Sequence, residues 1–250
     1  MTGMLSKTGG AAITIVDSAT SSSDLVWAAA AQDAPSGTAF LVREQTAGRG
    51  RRGTGWSSAR GGMYFSILLR PAISQRLWFG LSFVAALAIR QELARCLADV
   101  PVMLKWPNDV LVGGAKISGI LLESGAASGA HLDWVCVGMG LNLAHYPDDT
   151  PYLATSIAAH TGHRPGNLST LEVLASAFER YYQQWQQFGF SVIVTKWRQQ
   201  AHNLGREITV RLENSELTGV FEDIDETGAL LLCAEDGQHH IVSAGDVFFR

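Results

Sequence analysis

The residues with the types and spacing for chemistry cluster first at 48–56, G-R-G-R-R-G-T-G-W, where four glycines interleave with Arg49, Arg51 and Arg52. Guanidinium groups present planar forks of donors that suit phosphate and carboxylate. Glycine lets backbone approach a ligand closely. A loop of this kind between two strands can close over a polyphosphate, although a solvated, merely mobile arginine loop has the same composition. The stretch also matches G-x-G-x-x-G, but a dinucleotide fingerprint must open a helix and be followed ~20 residues on by an acid. Gly55, Gly61 and Gly62 within the nine residues 54–62 forbid a stable helix, and no Asp or Glu occurs between Glu44 and Glu92. The dinucleotide reading fails.

Further along, Lys105-Trp106-Pro107-Asn108-Asp109 leaves a strand through ordinary turn residues. A tight turn at Gly113-Gly114 would bring Lys116 back near Asp109. A lysine there can point at a ligand anion or simply face solvent. Gly138-Met139-Gly140-Leu141-Asn142 places two glycines in an apolar strand, marking either a close ligand approach or a bulge. The seven histidines show no metal-ligand spacing, there is no G-x-S-x-G elbow, and neither His145 nor His202 has a nucleophile to serve. Nucleophilic catalysis by the protein is poorly supported.

The elements that must position these groups follow from periodicity and punctuation. Helices are expected over 24–32, after Ser22 and Ser23, over 75–98, from a Ser169-x-x-Glu172 capping box to 188, and over 190–202. Strands are expected over 38–45, 63–70, 102–106, 109–112, 115–124 and 132–142. Trp78, Phe79 and Phe83, and likewise Tyr181, Tyr182 and Trp185, recur at helical spacing and read as core. From about 205 the pattern turns to short strands broken by glycine, the signature of a small all-β domain. The fold class is therefore α+β, with a mostly antiparallel sheet and helices over 13–203, a small β-barrel over 204–250, and a disordered segment over 1–12.

Composition narrows the function classes. A net charge of -4 argues against generic nucleic-acid binding. Cys96, Cys136 and Cys233 are odd in number, without a C-x-x-C pair, which fits reduced thiols in a cytoplasm and argues against a structural zinc. The apolar run 77–89 lies between Arg76 and Arg90 and is too short for the ~20 residues of a membrane span.

In this order the motifs G-R-G-R-R-G-x-x-W, Y-F-S, K-W-P-N-D, K-I-S-G-I-L-L-E and G-x-G-L-N resemble the biotin protein ligase family from about residue 13 to the C-terminus. The resemblance implies a class II synthetase-like catalytic domain and an SH3-like C-terminal barrel. It also implies a reaction in which biotin's carboxylate attacks the α-phosphate of MgATP, forming biotinyl-5′-adenylate and pyrophosphate. A lysine amine of a biotin carboxyl carrier domain then takes the biotinyl group and releases AMP. By resemblance, Lys116 bridges the biotin carboxylate and α-phosphate, and Arg51 and Asp109 complete the catalytic set, Asp109 orienting either Lys116 or Mg²⁺. Ser22, Ser23, Asp24, Gln45, Gly48, Arg49, Tyr64 and Gly119 line the biotin pocket with Arg51 and Lys116. Arg49, Arg51, Arg52, Trp56, Lys105, Asn108, Lys116 and Asn142 meet ATP or the adenylate, the arginine loop ordering on ligand binding. Mg²⁺ arrives with ATP, so no metal site of the protein's own is expected. A homodimer is compatible with the family.

Two departures stand out. Where the family has Ser-Thr-Asn, this chain has Ser22-Ser23-Asp24, trading a neutral amide for an acceptor-only carboxylate. Thr54 stands where the family commonly has arginine, which predicts weaker retention of the adenylate. About a dozen residues precede the catalytic domain, so the monofunctional type without a DNA-binding domain is expected. A lipoate or octanoate ligase, and a catalytically idle biotin or nucleotide sensor, remain as alternatives.

Overall fold

Residues 63–69, M-Y-F-S-I-L-L, are buried at every position, which in a strand requires cover on both faces. A computed structural model describes residues 4–8, 11–71, 77–125, 127–128, 131–213 and 215–248. In chain order its elements are β1 (Met4–Thr8), β2 (Ala11–Val16), α1 (Ser22–Ala30), β3 (Ala39–Val42), β4 (Met63–Leu69), α2 (Gly80–Cys96), β5 (Val102–Lys105), β6 (Asp109–Val112) and β7 (Ala115–Ser124). There follow β8 (Ala127–Ser128), β9 (His131–Leu132), β10 (Val135–Leu141), α3 (Ile157–Thr161), α4 (Asn167–Phe188), α5 (Phe190–Arg198), β11 (Glu207–Arg211), β12 (Glu216–Ile224), β13 (Leu230–Ala234), β14 (His239–Val242) and β15 (Asp246–Phe248).

The first sheet runs β1-β2-β3-β4-β10-β7-β6-β5 and is antiparallel except for the β2–β3 pair. Alternation along its central strands separates two layers. Met63, Phe65, Ile67 and Leu69 of β4, with Val135, Val137, Met139 and Leu141 of β10, join the main core shared with α2, α4 and α5. The intervening residues face the other way, where Leu68 and Cys136 pack under Val26 and Ala30 of α1. Helix α1 covers only part of this second face. The uncovered part carries the site.

One register row crosses six strands on that face: Val42, Tyr64, Gly140, Gly119, Asp109 and Lys105 stand opposite one another in turn. Residues directly opposite share a face, so four expected site residues, Tyr64, Gly119, Asp109 and Lys105, align in one line. The β11–β15 segment forms a separate antiparallel sheet, ordered β14-β13-β12-β11-β15, which fits the SH3-like fold read from the sequence. It is tied to the larger unit by Trp106, 1% exposed, whose indole Nε1 donates to Gly228 O at 3.0 Å.

Several expectations need correction. The 1–12 segment is not wholly disordered, because residues 4–8 pair with β2 as a strand. Ser169 is inside α4 rather than at its cap. The N-cap is Gly166, and Ser169 Oγ donates to Gly166 O, so the S-x-x-E spacing made no capping box. Helix α1 begins two residues early because Ser21 is its N-cap and accepts from Ser23 N. The strand at 38–45 ends at Val42, since Gln45 turns inward to other partners. The expected start of the long helix at 75–76 lies outside the described residues; within them it begins at Gly80.

Candidate functional site

The floor of the site is a trough made by missing side chains. A Cβ at Gly140 would lie 2.6 Å from the Trp56 ring and one at Gly119 2.9 Å from it. The indole therefore lies against the bare backbone of two neighbouring strands. Among the described residues its buried Nε1 has no partner, which leaves an orphan donor on this floor. The third glycine, Gly138, gives room to the hydroxyls of Ser23 and Ser66.

Lys116 reaches the same floor through a β-bulge. Pairing of β6 with β7 slips between Val110 and Leu111, so Leu111 faces Lys116 and strict alternation is broken. Ile117 is then buried in the core while Lys116 is turned to the site face. Its Nζ lies 2.8 Å from Asp109 Oδ1, with side-chain exposures of 17% and 14%. That contact is an ion pair without hydrogen-bond alignment, and among the described residues Asp109 Oδ1 has no hydrogen-bond partner. The ammonium also sits 5.2 Å from the Trp56 ring and 4.9 Å from that of Tyr152.

The arginine loop is a small hairpin standing over this floor. Gly50 N donates to Thr54 O, Trp56 N to Gly48 O, and Thr54 Oγ1 to Arg51 O at 2.8 Å. Arg52 takes a left-handed φ of 52°, and Gly53 follows at 74°. Arg49 bridges Asp24 at 2.7 Å and Glu123 at 3.3 Å. Arg51 reaches Asn108 Oδ1 at 3.4 Å, Gly245 O at 3.1 Å and Asp246 at 3.1 Å, and Arg52 meets the other oxygen of Asp246. Burial, with Arg52 beside it, lowers the Arg51 pKa against the pull of Asp246, without bringing an arginine near neutrality.

On the other side of the loop, Gln45 accepts from Ser22 N at 2.7 Å and donates to Ser58 Oγ at 2.7 Å. A Cβ at Gly48 would fall 2.3 Å from Ser58 Oγ and 2.8 Å from Gln45 Nε2, so only glycine lets the loop leave the strand here. Ser22 Oγ and Ser66 Oγ lie 2.7 Å apart, and Ser23 Oγ is 3.3 Å from Ser66 Oγ. Tyr64 donates to Ala59 O at 2.8 Å, and burial, helped by Glu44, pushes its hydroxyl up to about 12. Burial lowers the Lys105 pKa, with Lys116 adding to it and Asp109 opposing. Asn108 Nδ2 donates to Ile120 O, and Asn142 Nδ2 donates to Thr155 O at 3.0 Å.

A cavity of about 160 Å³ opens among Trp56, Lys116, Asn142, Asp149, Thr150 and Tyr152. A larger one, about 400 Å³, opens at Leu41, Arg43, Arg60 and Arg164 and touches none of the expected residues; the smaller holds the convergent chemistry. The expected residues thus form two connected groups. Ser22, Ser23, Asp24, Gln45, Gly48 and Tyr64 lie around α1 and the loop's base; Arg51, Arg52, Lys105, Asn108, Asp109, Lys116, Gly119 and Asn142 lie towards β5–β7. Arg49 and Trp56 join them.

Sequence reasoning assigned no role to Asp246, Glu123, Ser66 or Tyr152. Glu123 and Ser66 stand inside the quoted motifs K-I-S-G-I-L-L-E and Y-F-S, so a signal existed for them. Asp246 and Tyr152 lie far along the chain in segments with no local pattern, and only folding brings them here.

The profile of the "Biotin/lipoate A/B protein ligase family" matches residues 15–142, and that of the "Biotin protein ligase C terminal domain" matches 204–250. The chain is 41% identical over 223 residues to a biotin–acetyl-CoA-carboxylase ligase of Paracoccus denitrificans, covering 86% of this chain and 91% of that one. A bifunctional ligase/repressor BirA of Bacillus subtilis is 33% identical over 217 residues, 85% of this chain and 66% of its own length. The fold is similar to the biotin protein ligase of Aquifex aeolicus in complex with biotin and ATP, with a TM-score of 0.81 and 27% identity over 95% of this chain and 98% of that one.

Proposed function

The chain belongs to the biotin/lipoate A/B protein ligase family, and on that premise we propose the roles that its residues play as an ATP-dependent biotin protein ligase. The observation that carries the assignment is Lys116, paired at 2.8 Å with Asp109 on the floor of the cavity beneath an unpartnered indole N–H. The reaction brings a carboxylate to a polyphosphate, so positioning and charge neutralisation are what the protein must supply.

Lys116 sits where it can contact the biotin carboxylate and α-phosphate oxygens together, with Asp109 orienting the ammonium. Arg49, Arg51 and Arg52 neutralise the remaining phosphate charge once they leave their present carboxylate partners. Gln45, Ser22, Ser23 and Tyr64 define the biotin end, and Trp56 and Asn142 the adenylate end. The carboxylate oxygen forms a bond to the α-phosphorus while the bond to pyrophosphate breaks. An uncharged lysine amine of a biotin carboxyl carrier domain then attacks the acyl carbon, AMP leaves, and the amine proton passes to solvent or phosphate.

Mg²⁺ enters as part of the ATP substrate. It keeps several waters and takes phosphate oxygens readily, while Asp109 is already engaged by Lys116, so the residues fit a metal carried by substrate. In this reading 13–203 is the catalytic unit and 204–250 the small C-terminal unit, which contributes Asp246. The outer edge of the larger sheet, at β1, is the surface we assign to the carrier.

The test incubates the full chain with MgATP, radiolabelled biotin and a carrier domain. Pyrophosphate release and labelled carrier are expected, with octanoate failing to substitute. Absence of both products with biotin overturns the assignment.

A further inference from the structure

We propose that the outer face of the C-terminal sheet is a binding site for a divalent transition-metal ion, Zn²⁺ foremost, ligated by Glu222, Cys233 and His239. Spacing along the chain gives no sign of it, because there is no C-x-x-C or H-E-x-x-H motif. Strand register makes it. Cys233 of β13 stands directly opposite His239 of β14. On its other side Cys233 pairs with Val220 of β12, and two residues further on Glu222 falls within the bulge between Phe221 and Asp223. Phe221, Leu230, Leu232 and Val242 point inward and are buried, so Glu222, Cys233 and His239 share the outward face on three adjacent strands.

One ligand atom from each residue lies within 4.8 Å of the others. A tetrahedral zinc with bonds of about 2.0–2.3 Å needs its ligand atoms roughly 3.3–3.8 Å apart. Glu222 and His239 are substantially exposed, with side-chain exposures of 40% and 69%. They can close by side-chain rotation while the strands stay fixed. His239 Nδ1 and Glu222 Oε2, now 2.9 Å apart, would open by a few tenths of an ångström to admit the ion. A metal would take the place of the proton they share.

The donor set selects the ion. A thiolate and an imidazole favour Zn²⁺ and its soft neighbours, whereas Mg²⁺ and Ca²⁺ prefer oxygen ligands throughout. Three protein ligands leave a fourth position for water. Binding requires a deprotonated Cys233 and an imidazole nitrogen free of its proton, so it releases protons and weakens as pH falls.

The full chain, stripped with chelator and without nucleotide, is titrated with Co²⁺ and then Zn²⁺. The expected result is one equivalent of Co²⁺ giving a thiolate-to-cobalt charge-transfer absorption, displaced by Zn²⁺ and unaffected by millimolar Mg²⁺. Cys233→Ser should abolish the absorption although Cys96 and Cys136 remain. His239→Ala and Glu222→Gln should weaken Zn²⁺ binding about tenfold and several-fold. Biotin adenylation by each variant verifies that it is folded, since the three residues lie outside the ligase site. A wild-type chain without the absorption, an absorption that survives Cys233→Ser, or Zn²⁺ affinity unchanged in His239→Ala overturns the proposal.

Discussion

Lys116 and Asp109 meet at 2.8 Å because a bulge re-aims one of them, and the pair is largely withdrawn from water. In the proposed mechanism, removing the ammonium would take away a donor aimed at developing charge and leave Asp109 as an unpaired anion. Lys116→Ala is expected to slow pyrophosphate release about 10²–10³-fold; a loss under threefold would mean that another residue carries the charge. Asp24, which departs from the amide expected by resemblance, has its own explanation at this scale. Its carboxylate is taken up by Arg49 at 2.7 Å and by the Thr20 hydroxyl at 2.5 Å, so it anchors the loop's first arginine.

At the scale of elements, the loop and the glycine trough work as a pair. The hairpin at 48–56 is closed by its own hydrogen bonds, and Thr54, where an arginine was expected, supplies one of them to Arg51 O. A neutral hydrogen bond contributes ~0.5–1.5 kcal/mol. Thr54→Val should therefore raise the dissociation rate of the biotinyl adenylate about two- to tenfold, measured by chase with unlabelled biotin. An unchanged rate would detach the turn from ligand retention. Gly140→Ala tests the floor. Its Cβ would stand 2.6 Å from the Trp56 ring, so the indole must move; biotin affinity by calorimetry is expected to fall tenfold or more with the fold retained. Equal affinity would show that Trp56 does not depend on the trough.

Across the whole molecule, the two sheets are coupled through buried groups and through the loop. Trp106→Phe leaves Gly228 O without its indole donor. An unsatisfied buried carbonyl costs roughly 1–3 kcal/mol, which should appear as a lower urea midpoint; an unchanged midpoint would make that contact dispensable. His202, in the segment joining the units, has its pKa lowered from 6.5 by burial and then by Lys105. The unfolded chain therefore takes up its proton first on acidification. Stability from this group is fully present above pH 6.5 and is lost as pH falls from there towards the lower folded value. His202→Gln should flatten that part of the stability profile, and an identical acid dependence in the variant would refute the linkage.

By itself the sequence determined the things that depend on neighbours in the chain. Short apolar stretches marked β4 and β10, paired glycines set the positive-φ turn at Gly113-Gly114, and five motifs in order pointed to the family. It also nominated the three arginines, because charge and glycine concentrate there locally, whereas Lys116 and Asp109 were singled out through the family resemblance. It misjudged residues 4–8, a strand that needs β2 beside it, and Ser169, whose hydroxyl turns back to Gly166 O. Only the tertiary structure decided what depends on register and on distant segments. The slip between Val110 and Leu111 turned Lys116 to the site, and Asp246 came from the far end of the chain to hold Arg51 and Arg52. Three strands likewise brought Glu222, Cys233 and His239 together. Side-chain chemistry is written residue by residue, but which groups share one face is fixed by how strands pair, and a single residue of register reverses it.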